Sequence, residues 1–235
     1  NSYYGSDVNT PINLKNEKTI FSDESTIETA YQYAYEKGNQ KLIDANMVGI
    51  PLDTEVKKDG KTISKAETKY DNPVNLLPSS VLSYNMQSNT PSTEVTYDIY
   101  DGKRNLIQYT TKAGVSTSII WGYNQTQPIA KIEGAKLSDI TQTLINSIVN
   151  ASDDTNANYS ESTLLNQLDA FRIALPNFQI STYTYKPLIG VTTITPPSGI
   201  REYYFYDTAN RLESVKTNEN GVLTTLKEYQ YHYKP

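Results

Sequence analysis

Polar and apolar residues alternate through most of this 235-residue chain, and the alternation is broken by short acidic or glycine-bearing turns. A period of two with such punctuation predicts half-buried antiparallel strands joined by hairpins. One phrase recurs: alternating aromatics, an acidic residue, then a polar loop that ends at a leucine. It runs from Tyr31 to Leu42, from Tyr97 to Leu106 and from Tyr204 to Leu212. Within it Tyr35-Glu36, Tyr100-Asp101 and Tyr206-Asp207 align, and the third copy closes on Arg211-Leu212. A repeated strand-and-turn phrase predicts an architecture built by stacking similar units.

Each phrase leads to a second punctuation mark. Lys58-Asp59-Gly60-Lys61 predicts a hairpin tip, because Asp-Gly supplies the positive backbone angles of a tight turn, and Thr62–Thr68 is its return strand. Lys112-Ala113-Gly114 and Asn218-Glu219-Asn220-Gly221 are the corresponding tips of the other copies, with the strand Ser118–Tyr123 after the former. Gly221 is expected at positive φ. The stretch Asn46–Leu52 is read as a further strand inserted in the first copy, and residues 1–25, polar and aperiodic, as an irregular lead-in.

Between the second and third copies the period changes. Leu137, Ile140, Leu144, Ile145 and Ile148 recur at three- and four-residue steps after a cap at Ser138. Leu164, Leu165, Leu168, Phe171 and Leu175 repeat the pattern, starting near Ser160 or Ser162 and stopped by Pro176. The fold class expected is mainly β: an antiparallel repeat sheet with an inserted α-helical hairpin that caps a sheet edge or covers a sheet face. The expected organisation is a lead-in over 1–25, β repeats over 26–134, the helical hairpin over 135–176 and a last repeat over 177–235.

Composition sharpens this picture. With twenty tyrosines against four phenylalanines and one tryptophan, the apolar surface is largely phenolic. Tyr packs on a pleated face while its hydroxyl reaches water or backbone, which suits a thin, half-wet sheet. A net charge of −5 with scattered basic residues disfavours nucleic acid, whose binding needs clustered Lys and Arg. Cysteine is absent, which excludes disulfides and thiolate chemistry. No apolar run approaches the roughly 20 residues needed to cross a bilayer.

Candidate chemistry is sparse. His232 is the only histidine and lies among Tyr229, Tyr231 and Tyr233 with no nucleophile and carboxylate paired to it in sequence; it reads as a solvent-facing strand residue. Asp153-Asp154-Thr155-Asn156-Ala157-Asn158 has oxygen donors, but an EF-hand loop counted from Asp154 would need Gly and Glu where Tyr159 and Leu165 stand. It reads as a helix-helix linker. Asp98 and Asp101 invite a glycosidase pairing, yet Asp101 aligns with Asp207 and Glu36 at the start of each turn, where a short carboxylate accepts backbone N–H groups. The aromatic strips Tyr203–Tyr206 and Tyr229–Tyr233 read as inter-strand ladders, with glycan stacking as the lesser alternative. No catalytic, cofactor or metal residue is nominated. The residues singled out are structural: Tyr35, Glu36, Tyr100, Asp101, Tyr206, Asp207, Arg211, Leu212 and Gly221.

Tyr206-Asp207 with Asn210-Arg211-Leu212 after it resembles the YD-repeat, or RHS, family. The stretches Trp121-Gly122-Tyr123-Asn124, Pro128-Ile129-Ala130-Lys131, Tyr183-Thr184-Tyr185 and Pro187–Thr192 look like the C-terminal region of large secreted YD-repeat proteins of Bacteroidota. The resemblance implies an exported protein whose strands spiral into a sheet, sometimes a hollow shell around a toxin, with a C-terminal end near Pro235. Some family members cleave themselves with an Asp-Pro-x-Gly segment that supplies catalytic aspartates, and the matching stretch here is Pro196-Pro197-Ser198-Gly199. A proline side chain neither donates nor accepts a proton, so no autoprotease is expected. The expectation is a non-enzymatic structural or interaction module, a C-terminal fragment of a longer chain, secreted or at the cell surface. It engages a protein partner there, at the outer membrane, or in the rest of its own precursor; the alternatives are a self-processing segment, a hydrolase or a glycan-binding sheet.

Overall fold

The computed structural model describes residues 2–4, 12–154, 160–219 and 221–231. The protein is mainly β and antiparallel, and it divides into two compact units: Asn1–Asp98 with Thr110–Gly114, and Ile99–Tyr109 with Val115–Pro235. The division falls inside the second repeat phrase.

The first unit contains β1 (Ser2–Tyr4), β2 (Leu14–Ile20), β3 (Thr26–Gln32), β4 (Asp53–Lys58), β5 (Lys61–Lys69), β6 (Ser80–Tyr84) and most of β7 (Pro91–Tyr100). Each strand pairs antiparallel with the next in chain order. Strand β2 corrects the irregular lead-in. Its sequence Leu-Lys-Asn-Glu-Lys-Thr-Ile carries too few apolar residues to announce a strand, and it forms because β3 offers a ladder from Asn16↔Ala30 to Ile20↔Thr26. The Asp59-Gly60 tip joins β4 to β5 with both residues left-handed, φ +49° and +80°, the geometry of a tight primed turn.

A second correction lies between β3 and β4. Asn46–Leu52 is not a strand; the short helix α1 (Gln40–Asp44), capped by Asn39 Oδ1 on the Leu42 N–H, precedes it, and Asn46 turns the chain at φ +56°. The apolar residues that suggested a strand serve another purpose: Met47, Ile50 and Leu52 close a small core with Ala34 and Leu42. Helix is therefore not confined to residues 137–175.

The second unit contains most of β8 (Leu106–Thr111), then β9 (Ser116–Gly122), β10 (Gln127–Glu133), the helices, β11 (Gln179–Lys186), β12 (Gly190–Thr195), β13 (Glu202–Tyr206), β14 (Leu212–Glu219) and β15 (Val222–Glu228). From β9 to β15 each strand again pairs antiparallel with its neighbour in chain order. The helical hairpin consists of α2 (Gln142–Asp153) and α3 (Glu161–Ala174). It covers a sheet face. Ile148, Leu164, Leu168 and Phe171 bury against Ile120, Ile129, Ile132 and Ile180, which makes the largest core of the unit. Ser138 is not the cap of α2: Leu137–Asp139 form a separate 3-10 turn, and Thr141 precedes the helix. Ser160 does cap α3, accepting from the Ser162 N–H at 3.3 Å.

Gly221 sits at φ +86° with its N–H donated to Asn218 Oδ1 at 2.8 Å, and nothing crowds the place of a Cβ. Gly221→Val is therefore expected to lose stability through backbone strain alone, by at least about 1 kcal/mol. A urea midpoint equal to that of the wild type would remove the tight-turn assignment.

Candidate functional site

The aligned turns share their bonding pattern in two of their three copies. In the turn that starts at Asp101, Oδ1 accepts the N–H groups of Lys103 and Asn105, each at 2.8 Å, and Oδ2 accepts Asn105 Nδ2 at 3.0 Å. In the turn that starts at Asp207, Oδ1 accepts the N–H groups of Ala209 and Arg211 at 2.8 and 3.0 Å, and Oδ2 accepts Arg211 Nε at 2.7 Å. Arg104 and Asn210 take the left-handed position, φ +72° and +59°. The hydrogen bonds from Arg211 hold the Asp207 carboxyl below its ordinary range. Arg211 also lies over the Tyr231 ring, 4.5 Å from its centroid, while the Tyr231 hydroxyl donates to the Leu212 carbonyl.

Tyr100 and Tyr206 end the strands that enter these turns. The Tyr206 hydroxyl donates to the Val191 carbonyl at 2.9 Å and occupies the space where a Cβ of Gly190 would stand. The first copy differs. Tyr35 and Glu36 lie beyond the end of β3, Tyr35 is exposed, and Glu36 accepts from the Tyr33 N–H behind it and from Lys15. Glu36 is not the counterpart of Asp101 in structure: the longer side chain reaches back, and the loop continues into α1. Asp98, the other half of the postulated carboxylate pair, accepts from Thr110 Oγ1 at 2.6 Å.

The Pro196–Gly199 segment is a turn, with Gly199 N–H bonded to the Pro196 carbonyl and Gly199 at φ +84°. Two cations flank it. Arg172, on α3, donates to the carbonyls of Ile180, Thr195, Pro196 and Pro197, and Arg201 donates to Thr195 Oγ1 and pairs with Asp169 at 2.5 Å. An aspartyl mechanism shares a proton between two adjacent carboxylates. The side chain bonded to this turn is the Arg172 guanidinium, on the Pro196 and Pro197 carbonyls, while Arg201 bonds Thr195 just before it. Sequence reading missed this clamp, because an arginine late in a helix looks like a response to the helix dipole.

Two further features were not visible in the sequence. In the first unit Asp53 and Glu67 are buried beneath Lys37, Lys65 and Lys69, with Glu67 bound at 2.7 Å by Lys37, 3.0 Å by Lys69 and 2.6 Å by the Tyr84 hydroxyl. Burial opposes the Glu67 charge, yet these partners outweigh it and hold the carboxyl at about 2. The same hydrogen bond raises the Tyr84 hydroxyl to about 12.

In the second unit Tyr123, Asn124 and Gln125 are successive left-handed residues, φ +50°, +57° and +62°. Such a run is strained for non-glycine residues. The end of α2 pins it: Ser152 Oγ accepts the Tyr123 N–H and Asp153 Oδ1 accepts the Asn124 N–H at 2.7 Å. Gly122 permits this approach, since a Cβ there would fall 2.2 Å from Ser152 Oγ and 2.9 Å from Ile129.

Among the described residues no group of three or more His, Cys, Asp or Glu could hold a metal ion, and no helix is long and apolar enough to cross a membrane. His232 and Tyr233 lie outside the described residues, as do Thr155 to Asn158 of the calcium-like loop.

The fold and the recurring turns define a mainly-β repeat protein. No protein-family model and no curated protein matches the sequence. Among solved structures, the chain is similar to one described as TcdB2-TccC3-Cdc42, at 13% identity over 88% of this chain with a TM-score of 0.43. It is similar as well to TcdB2-TccC3 without the hypervariable C-terminal region, at 13% identity over 91% with a TM-score of 0.43. A third match is a mutant Tc holotoxin pore of Photorhabdus luminescens, at 12% identity over 94% with a TM-score of 0.39. The chain spans 11–12% of the length of these solved chains.

Proposed function

We propose that this chain is a non-catalytic structural and interaction module of a longer exported YD-repeat protein, engaging a protein partner at the cell surface or outer membrane or the remainder of its own precursor. The observation that carries this reading is the turn built twice from the same bonds, at Asp101–Asn105 and at Asp207–Arg211. A carboxylate whose lone pairs are spent on a turn does architectural work, and its recurrence in two hairpins ties it to the repeat. The arginine-clamped turn at Pro196–Gly199 supports the same reading from the other side, since its carbonyls are held by the Arg172 guanidinium and its own residues carry no carboxylate, where self-cleavage would need a proton-sharing acid pair. The tyrosine-rich surface suits protein recognition, because rigid rings with hydroxyls give contact area at low entropic cost.

The test is a long incubation of the purified chain across a pH series, with intact mass and turnover of glycan and peptide substrates as the readouts. The chain is expected to keep its mass and to turn over nothing. Cleavage near Pro196 or Gly199 that disappears on changing Asp207 would overturn the non-catalytic assignment. For the location, protease treatment of intact cells of the source organism is expected to remove the chain from an immunoblot raised against it; complete protection in intact cells with loss after lysis would overturn it.

A further inference from the structure

The pinned turn of the second unit borders a cavity of about 360 Å³, many times the roughly 30 Å³ share of one water molecule. Its walls are of two kinds. Tyr123, Tyr185 and Pro187 are the apolar part, and the two tyrosine rings meet edge to face at 88° with centroids 5.6 Å apart. Asp153 and Asp154 are the charged part, with Thr126 beside them.

The rings are held in place by their own hydroxyls: Tyr123 Oη accepts the Tyr185 N–H at 2.9 Å, and Tyr185 Oη donates to the Pro128 carbonyl at 3.0 Å. Burial pushes the Tyr185 hydroxyl up to about 12, so it remains a neutral donor at any ordinary pH.

The sign of the charge is the informative part. A helix ends with partial negative charge, and Lys, Arg or His in the last turn answers it. Helix α2 has no basic residue in its last turn and instead ends at Asp153, with Asp154 next. One oxygen of Asp153 is engaged by the Asn124 N–H, which fixes the carboxylate at the cavity rather than letting it swing to solvent. Asp154 is exposed at the rim. Helix dipole and two carboxylates thus concentrate negative potential where the neighbouring walls are aromatic, and an aromatic face attracts the same sign of charge as a carboxylate does.

We propose that this cavity receives the side chain of a lysine or arginine from a protein segment, its methylene stem against Tyr123, Tyr185 and Pro187 and its charged head at Asp153 and Asp154. Long basic side chains have this division between apolar stem and charged end. Carboxylates beside aromatic rings select against an acidic side chain by charge, and against an aliphatic one because it brings them no donor. The proposal goes beyond the function proposed above and stands without it, since an enzyme could carry the same site.

The test is an NMR titration of the whole chain with N-acetyl-L-lysine amide and N-acetyl-L-arginine amide, reading the amide resonances of Asn124 and Tyr185. The neutral comparison is N-acetyl-L-norleucine amide, which has the stem without the charge. Saturable shifts at both residues are expected with the cationic probes and not with norleucine. Affinity is expected to fall about 3- to 5-fold in Asp154→Asn, as for an exposed ion pair, and to weaken again at ~0.5 M salt through screening. Equal response to norleucine, no saturation with either cation, or binding indifferent to both Asp154→Asn and salt would each overturn the site. Mass stability of the chain is not touched by any of these results, so failure here and failure of the non-catalytic reading are separate events.

Discussion

Phe171→Ala is expected to lower the unfolding free energy by about 3–5 kcal/mol, the range for deleting a large aromatic side chain from a close-packed core. Phe171 is 1% exposed and lies on α3 among Leu164, Leu168, Ile180 and their neighbours, all of them buried in the same cluster. The surroundings have little freedom to collapse into the space. Strands β9 to β11 are held by their ladders, and Arg172, the next residue on α3, is anchored to the carbonyls at 180 and 195–197. The measurement is a urea denaturation monitored by fluorescence of Trp121, the chain's single tryptophan, which reports the second unit. A loss below about 1 kcal/mol would show that the helical hairpin is not the roof of that core.

The second large effect is a dependence on pH. Glu67 is 4% exposed and its folded carboxyl is held at about 2, against an ordinary value of 4.5. A depressed acid contributes stability that is fully present above its unfolded pKa and disappears as pH falls through the folded one. The contribution is therefore complete above about 4.5 and is withdrawn between there and about 2. Its size at neutral pH is roughly 3 kcal/mol, from the interval between 4.5 and about 2 at about 1.4 kcal/mol per pKa unit. Hydrogen exchange of the amides of β4 to β6 across this pH range measures it. Protection is expected to fall steeply with acid in the wild type and much less in Glu67→Gln, which is weaker at neutral pH because it leaves Lys37 and Lys69 facing a neutral amide. Identical pH profiles in the two proteins would show that the carboxylate is not what the lysines stabilise.

Local chemistry was legible where a short sequence carries its own geometry. Asp59-Gly60 and the turn at Gly221 come from the few residues that tolerate positive φ, and the helical hairpin from apolar residues at three- and four-residue steps. The turns at Asp101 and Asp207 were legible for the same reason: carboxylate, donors and acceptor all lie within five residues. Glu36 was misleading because alignment sees residue type, while the turn depends on side-chain length and on the conformation of the residues after it, here the helix α1. Asn46–Leu52 misled in a related way, since an apolar run states that residues are buried and not by which backbone conformation. Strand β2 was missed because its stability comes from the ladder it joins and not from its own side chains.

By itself, then, the sequence determined the antiparallel hairpin plan, the place of the helical hairpin and the chemistry of the turns at Asp59, Asp101, Asp207 and Gly221, all of which depend on interactions between residues close along the chain. Tertiary structure alone decided which distant groups meet. Lys37 on Asp53, Arg172 on the Pro196 carbonyl, Asp153 on the Asn124 N–H and Tyr123 on the Tyr185 N–H join residues 16, 24, 29 and 62 positions apart. Nothing in local periodicity encodes such meetings, because they are set by strand register and by where a helix comes to rest on a sheet. Gly122 shows the dependence in one residue: in sequence it is one position of the strand Ser118–Tyr123, and only the approach of Ser152 reveals that its missing side chain is what allows α2 to dock.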